Sequence, residues 1–366
     1  MRRRLRALLP SLALALGSVA FTLAVLEVAF RMAGVHVGTV QISRRTMRRA
    51  SNPRLKFELR PGSHARAEVD YRINDEGMRD RPRAAGKPAG TRRIAILGDS
   101  IAFGYWVAED DAFPHQLEGL LSSPPGGATA VEVLNFGVPG YNLEQETEIL
   151  RERALRFSPD LVIVALCLND LEGAESYEHG LVMDRRLRSS SLAGRAYEGL
   201  VGRSLLFSWI EYRRAEQAAR REFVKARDPW AGPLYAETLA QQQDGLAARF
   251  RTIASLLESA GKIPGVVAVF PTFGGRFERY RHADFHRIAT RAASDAGLGI
   301  VDLIDCFRGY DFRDVRVDVV HPSPLGHRVA AHALADALCV RGWPCPPAGR
   351  RCREYRKDDF KQVRGY

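Results

Sequence analysis

Four short stretches of the chain carry residues whose types and spacing can do acyl chemistry. Gly98-Asp99-Ser100 places a hydroxyl directly after a hydrophobic run, and Asp318-Val-Val-His321 places a carboxylate and an imidazole three residues apart. A serine hydroxyl is a poor nucleophile until a base takes its proton, and that base needs a third group to fix its tautomer and stabilise its imidazolium. His321 and Asp318 are of the types for those roles. Acyl chemistry also needs donors for the developing oxyanion, and Asn135-Phe-Gly-Val-Pro-Gly140 and Asn169-Asp170 offer backbone amides and an amide side chain. Taken singly, each block is common: a Gly-Asp-Ser triplet arises by chance, an asparagine after a strand usually makes a turn, and a loop histidine usually finds an ordinary partner.

The surrounding elements bring the blocks together. From Arg92 onward, short aliphatic or β-branched runs (94–97, 131–134, 161–166, 266–270 and 298–303) alternate with helical stretches. That alternation predicts a parallel sheet covered on both faces, a three-layer α/β/α core with a five-stranded sheet. Helices are expected from an Asp111 cap through Leu121, with Pro114 tolerated in the first turn, and over 145–157, 235–259 and 325–338. Ser100 follows the first strand, Gly140 the second, and Asn169 the third, while His321 lies between the last strand and the last helix. All four therefore fall on the carboxyl edge of the sheet, where open α/β sheets bind their ligands.

Gly98-Asp99-Ser100, Gly140, Asn169-Asp170 and Asp318-x-x-His321, in this order and context, resemble the blocks of the SGNH (GDSL) hydrolase superfamily. The resemblance covers about residues 92–340. It implies a flavodoxin-like sheet, Ser100 as nucleophile, His321 as general base and Asp318 as its orienting partner. It also implies an oxyanion hole made by the Ser100 amide, the Gly140 amide and the Asn169 side chain, with Asp99 and Asp170 in structural roles. One departure stands out, because the family often has glycine where this chain has Cys167. The stretch Asn74-Asp-Glu-Gly-Met-Arg-Asp80 is similar to the lead-in of membrane-anchored bacterial members.

The N-terminus reads as an anchor. Arginines at positions 2, 3, 4 and 6 precede an uncharged run from Ala7 to Leu26. About twenty such residues span roughly 30 Å as a helix, one hydrocarbon core. Positive charge before the run is retained in the cytoplasm, so a single-pass inner-membrane protein with its catalytic domain facing the periplasm or exterior is expected. Cleavage at the small residues Ser18-Val19-Ala20 would instead give a secreted protein. Residues 1–31 are thus read as signal-anchor, 32–91 as a spacer with short extended patches, 92–340 as the hydrolase domain and 341–366 as a tail. A helical insertion over about 171–233 lies either over the active site or out in solvent.

The formal charge of +11 on 366 residues comes from dispersed arginines, with none of the motifs that mark nucleic-acid binding, so no nucleic-acid partner is expected. The late cysteines Cys306, Cys339, Cys345 and Cys352 are placed for one or two disulfides in an oxidising compartment, and Cys167 reads as a buried thiol. His282 and His286 are one helical turn apart but lack a third ligand nearby, and a solvated helix face is expected rather than a metal site. His327 and His332 read as packing or surface residues. No cofactor and no metal are expected. The function these readings support is hydrolysis of O-acyl esters of an envelope polysaccharide or lipid. The rivals are an O-acyltransferase that uses the same serine on an extracytoplasmic glycan, and an inactive glycan-binding module. Oligomeric state is not legible.

Overall fold

A computed structural model describes residues 2–33, 42, 45–66, 69–122, 130–171, 192–211, 213–214, 217 and 232–344. The strands are β1 (Met47–Arg49), β2 (Phe57–Leu59), β3 (His64–Arg66), β4 (Asp70–Arg72), β5 (Thr91–Gly98), β6 (Ala130–Asn135), β7 (Leu161–Leu166), β8 (Gly265–Val269) and β9 (Gly299–Asp302). The longer helices are α1 (Arg2–Met32), α3 (Phe113–Ser122), α4 (Leu143–Glu152), α5 (Leu192–Arg203), α6 (Gly232–Ser259), α7 (Ala283–Asp295) and α8 (Pro324–Cys339), and α2 (Ser100–Phe103) is a single turn after β5.

The five strands β5 to β9 form one parallel sheet in the order β6-β5-β7-β8-β9. This is the flavodoxin-like order, in which the chain starts in the interior of the sheet, steps to one side and then reverses to the other. The side-chain period of two sorts each strand's apolar residues between two cores. Ile94, Ile96, Leu161 and Ile163 pack with Phe113, Leu117 and Val329 of α3 and α8. Ala95, Leu97, Val162 and Val164 face the opposite way, with Ile149, Phe250 and Phe285 of α4, α6 and α7. Both faces are thereby covered, which explains why these strands read as continuous apolar runs rather than alternating ones.

Helix boundaries follow local chemistry. Asn142 caps α4 in a capping box with Gln145, so that helix starts before the expected residue 145, and beyond Glu152 the chain tightens into a 3-10 turn over Ala154–Phe157. Asp111 ends a separate 3-10 turn, Glu109–Asp111, and α3 begins only at Phe113. The expected solvated face of 282–286 is a correction. His286 lies on α7, is buried, and pairs through Nδ1 with Asp302 Oδ1 at 2.7 Å, at the end of β9. A carboxylate supplied by a distant strand makes that helix face an inward one.

Ahead of the sheet, residues 45–91 form two small antiparallel pairs, β1 with β2 and β3 with β4. Their residues Met47, Phe57, Leu59 and Tyr71 are buried in the same core as α4 and α6. At the N-terminus, Ala13–Met32 of α1 has mean hydropathy 2.1, is long and apolar enough to cross a membrane, and has no residue buried in the protein. Of the 171–233 insertion, α5 and a helical stretch at 205–211 are described, and most of the remainder lies outside the described residues. Cys306 and Cys339 are both disulfide-bonded, Cys167 is a free buried thiol, and Cys345 and Cys352 lie outside the described residues.

Close backbone approach holds the loop after β6 against α2. A Cβ on Gly137 would collide with the Phe103 nitrogen and stand 2.7 Å from the Ala102 carbonyl carbon. Both neighbours are backbone and neither can yield cheaply. Gly137→Ala is expected to cost about 3 kcal/mol, the upper end for overpacking a filled interior. The midpoint of urea denaturation of the full chain checks this, and an unchanged midpoint would show that the loop moves freely away from α2.

Candidate active site

Strand β5 ends at Gly98, and the chain turns at once into α2, whose first residue is Ser100. Asp99 is the cap that makes this turn, its Oδ1 accepting the Ile101 amide at 2.8 Å. Ser100 is thereby delivered to the carboxyl edge of the sheet where the strand order reverses, between the loops that follow β6 and β7. The remaining groups arrive from the loop before α8. There Asp318 Oδ1 accepts the amides of Val320 (2.8 Å) and His321 (2.7 Å), which folds the segment into a tight turn. The turn is anchored by Ser323, which caps α8.

These placements bring Ser100, His321 and Asp318 into one hydrogen-bonded line. Ser100 Oγ lies 2.9 Å from His321 Nε2, and His321 Nδ1 lies 2.7 Å from Asp318 Oδ2. The acceptor-only carboxylate assigns the proton to Nδ1 and leaves Nε2 free to accept from the serine hydroxyl. Asp99 Oδ2 also approaches Ser100 Oγ, but at 3.3 Å it is the weaker acceptor. Burial pushes the Asp318 carboxyl up, yet the hydrogen bond and charge of His321 and the two backbone amides outweigh it and hold the carboxyl below the usual carboxylate range. A permanent anion beside Nδ1 is what an imidazole needs in order to become charged during a reaction.

Gly140, in a left-handed turn at φ 83°, follows β6, and the Asn169 turn follows β7, so both stand on the strands that flank β5. The loop after β6 is tied to the Ser100 turn by Val138 donating to the Gly98 carbonyl (3.0 Å) and by the Asn135 side chain donating to the Ala102 carbonyl (2.9 Å). One hydrogen of the Asn169 amide goes to Asp99 Oδ2 at 2.7 Å, which leaves the other. The Cys167 thiol donates to the amide oxygen of Asn169, so the side chain that departs from the family pattern orients the donor. Burial, then the neighbouring Asp170 and Asp99 carboxyl groups, raise the Cys167 thiol well above its ordinary range.

Beneath the site lies a buried acidic group. Asp170 Oδ2 accepts the Cys167 amide at 2.5 Å, while Asp170 Oδ1 and both oxygens of Glu146 have no hydrogen-bond partner among the described residues. Burial, then the neighbouring carboxylates, hold Glu146 and Asp170 far above the usual carboxylate range, and both are neutral acids. Asp99, Cys167 and Asp170 bring ligating atoms within 4.8 Å of one another. The oxygens of Asp99 are already engaged by Ile101, Asn169 and Ser100, and the Cys167 thiol donates to Asn169, so these groups form a hydrogen-bonded cluster. His327, expected to pack, is fully buried. Its Nδ1 accepts the Phe113 amide at 3.3 Å, and burial, with the charges of Arg79 and His321, brings it down to about 3. His332 on the same helix is brought down to about 4, chiefly by burial.

Arg79 is a contributor that sequence reasoning did not single out. Its guanidinium is fully buried and donates to the carbonyls of Phe103 (3.0 Å), Gly104 and Val107 (2.8 Å), gripping the loop after α2. It also lies 4.5 Å from the Tyr71 ring and 5.1 Å from the Phe103 ring. The gripped loop carries Tyr105, whose ring is 5.4 Å from that of His321. The only sequence signal was its place in the Asn74–Asp80 stretch.

Residues 96–329 match the model of the GDSL-like lipase/acylhydrolase family, well over half of the chain. The chain belongs to this family. It is accordingly an ester-bond hydrolase of the GDSL type. No curated protein matches the chain. Among solved structures, an alpha/beta hydrolase from the metagenome of Lake Arreo is 14% identical, with a TM-score of 0.43 over 67% of this chain and 94% of its own. An acetylxylan esterase from Geobacillus stearothermophilus is 16% identical, with a TM-score of 0.38 over 67% of this chain and 93% of its own.

The neutral acids give the enzyme a defined pH response. Glu146 is raised in the folded state, so its contribution to stability is full below its unfolded pKa of about 4.3 and is lost as pH rises towards its folded value. Glu146→Gln removes that titration. The variant and the parent are expected to melt alike near pH 4 and to diverge at higher pH, with the variant more stable at pH 8. A gap that does not grow between the two pH values would contradict a buried neutral acid.

Proposed function

We propose that the chain is a membrane-anchored, outward-facing serine esterase in which Ser100 is the nucleophile, His321 the general base and Asp318 its orienting partner. The observation that carries this reading is the continuous hydrogen-bonded line from Ser100 Oγ through His321 to Asp318 at the strand-order reversal. In the first half-reaction Ser100 Oγ attacks the ester carbonyl as its proton passes to His321 Nε2. The tetrahedral oxyanion is held by the amides of Ser100 and Gly140 and by the free hydrogen of the Asn169 side chain. As the intermediate collapses, the alcohol leaves with the proton from His321 and the acyl group stays on Ser100. Water, deprotonated by His321, then attacks the acyl-serine and releases the acid. Asp318 keeps the imidazole oriented and offsets its charge without taking the proton.

Anchoring and orientation are supported by the arginines at 2, 3, 4 and 6 ahead of the apolar span, which favour a cytoplasmic N-terminus. The disulfide-bonded Cys306 and Cys339 suit an oxidising compartment outside the cytoplasm. An enzyme held there meets acyl esters of envelope glycans and lipids. At the mouth of the site Val317 and Val319 are exposed on either side of Asp318, an apolar rim against which an acyl group can rest.

Hydrolysis of p-nitrophenyl acetate, butyrate and octanoate by the full chain tests the chemistry. Ser100→Ala and His321→Ala are each expected to lower kcat by a factor of about 10^4 or more, and Asp318→Asn by about 10^3 to 10^4. Undiminished turnover by Ser100→Ala would overturn the serine mechanism. Acyl product appearing on an added oligosaccharide in preference to free acid would make the acceptor a sugar hydroxyl in place of water.

A further inference from the structure

Glu27 is an acid inside the apolar span, with Leu26 and Val28 on either side and Met32, the end of the span, five residues on. At 1.5 Å per residue it lies about 7.5 Å short of the helix end. A carboxylate at that depth is costly in lipid unless it is partnered, and such residues usually mark a function. Here its partners come from the insertion. Glu27 accepts from Ser204 Oγ at 2.6 Å and from the amides of Leu205 and Leu206 at 3.0 Å each, capping the start of the helical stretch 205–211. One turn further along, Arg31 pairs with Glu27 at 2.7 Å and donates to the Arg203 carbonyl at 3.3 Å, and the Phe30 ring meets the Trp209 ring edge to face at 5.5 Å. The insertion is thus fastened to the last turns of the anchor.

The face that the insertion leaves open is apolar and continuous with the span. Leu192, Ala196, Gly199, Leu200 and Arg203 fall on one stripe of α5, at i, i+4, i+7, i+8 and i+11. Leu192 and Leu200 are exposed, and so is Trp209 on the adjoining stretch. Between this stripe and α1 runs a cleft of about 490 Å³, lined by Ala196, Gly199 and Leu200 together with Arg31, Arg203 and the Glu27–Ser204 pair. Small and apolar side chains with arginines at the border and a tryptophan beside them match the chemistry of a bilayer's headgroup boundary. A solvated helical excursion has no reason to present that stripe, and a lid over Ser100 would not be tied to the anchor.

We infer that residues 192–211 are a membrane-interface element: Glu27 holds this helical pair at the outer boundary of the bilayer, and phospholipid covers its Leu192–Leu200–Trp209 face. The inference rests on the anchored reading above. It makes the insertion a second attachment, which restricts how the catalytic domain swivels on α1.

The test uses the full chain in phosphatidylcholine vesicles, with and without acyl chains brominated near the headgroup. The tryptophan fluorescence of Trp209→Phe, subtracted from that of the parent, isolates the Trp209 signal. Brominated lipid is expected to quench that difference signal more than twofold, and Glu27→Ala to lose at least half of the quenching while vesicle flotation persists. Hydrolysis of p-nitrophenyl acetate reports that each variant is folded. A chain that floats with vesicles but whose Trp209 signal ignores brominated lipid would overturn the inference, whether water or a second copy of the chain covers the face. A chain that does not float at all would overturn the anchored reading and this inference together.

Discussion

Asp99 sits at the point where the sheet becomes a site. Its carboxylate is fully buried, and its two oxygens join two pieces of chain: the start of α2, through Ser100 and Ile101, and the turn after β7, through Asn169. Parallel strands are joined by their ladder only along their length, so their ends would otherwise diverge into independent loops. A carboxylate that accepts from both neighbouring strand ends fixes their separation, and with it the distance between Ser100 and Asn169. Its partners there are neutral donors. That arrangement works because the adjacent acids, Asp170 and Glu146, surrender their own charges. Burial and the mutual repulsion of neighbouring carboxyl groups are what raise Glu146 and Asp170.

Much of this architecture is legible in the amino-acid sequence. The five parallel strands announce themselves because strands covered on both faces must be apolar on both, and 161–166 has no polar residue at all. Ser100, Gly140, Asn169 and His321 can be assigned to one edge because each follows a strand in a sheet whose strands all run the same way. What stays hidden is every role that depends on a buried polar group meeting a distant partner. His286 reads as a surface residue because its partner, Asp302, lies on another element. Glu146 falls within the helix expected over 145–157, and nothing in the sequence marks that the fold turns it towards Asp170. Cys167 is visible as a departure from the family, but its hydrogen bond to Asn169 is not.

The segment between α1 and the sheet shows the same limit in a different form. Residues 32–91 lack the periodicity of a core element, being rich in arginine, glycine and proline, yet Tyr71 and Arg79 are among the most completely buried residues. Buried arginines normally signal an ion pair. Arg79 instead hydrogen-bonds main-chain carbonyls and lies beside the stacked Tyr71 and Phe103 rings, and burial lowers it to about 10, still charged at neutral pH. Local sequence contains no hint of such a partner set, because carbonyls belong to every residue.

That indifference to side-chain identity has a consequence for how this enzyme can change. Arg79 grips the loop over 103–107 by its backbone, so this grip itself does not depend on which side chains the loop carries. Trp106, only partly buried, can be exchanged without touching that grip, whereas Tyr105 is buried against Tyr71, Phe103 and the His321 ring and is held by packing. A site built this way separates the two things an evolving esterase must handle: the frame that keeps its imidazole in place, and the surface it shows to a new acyl or alcohol group.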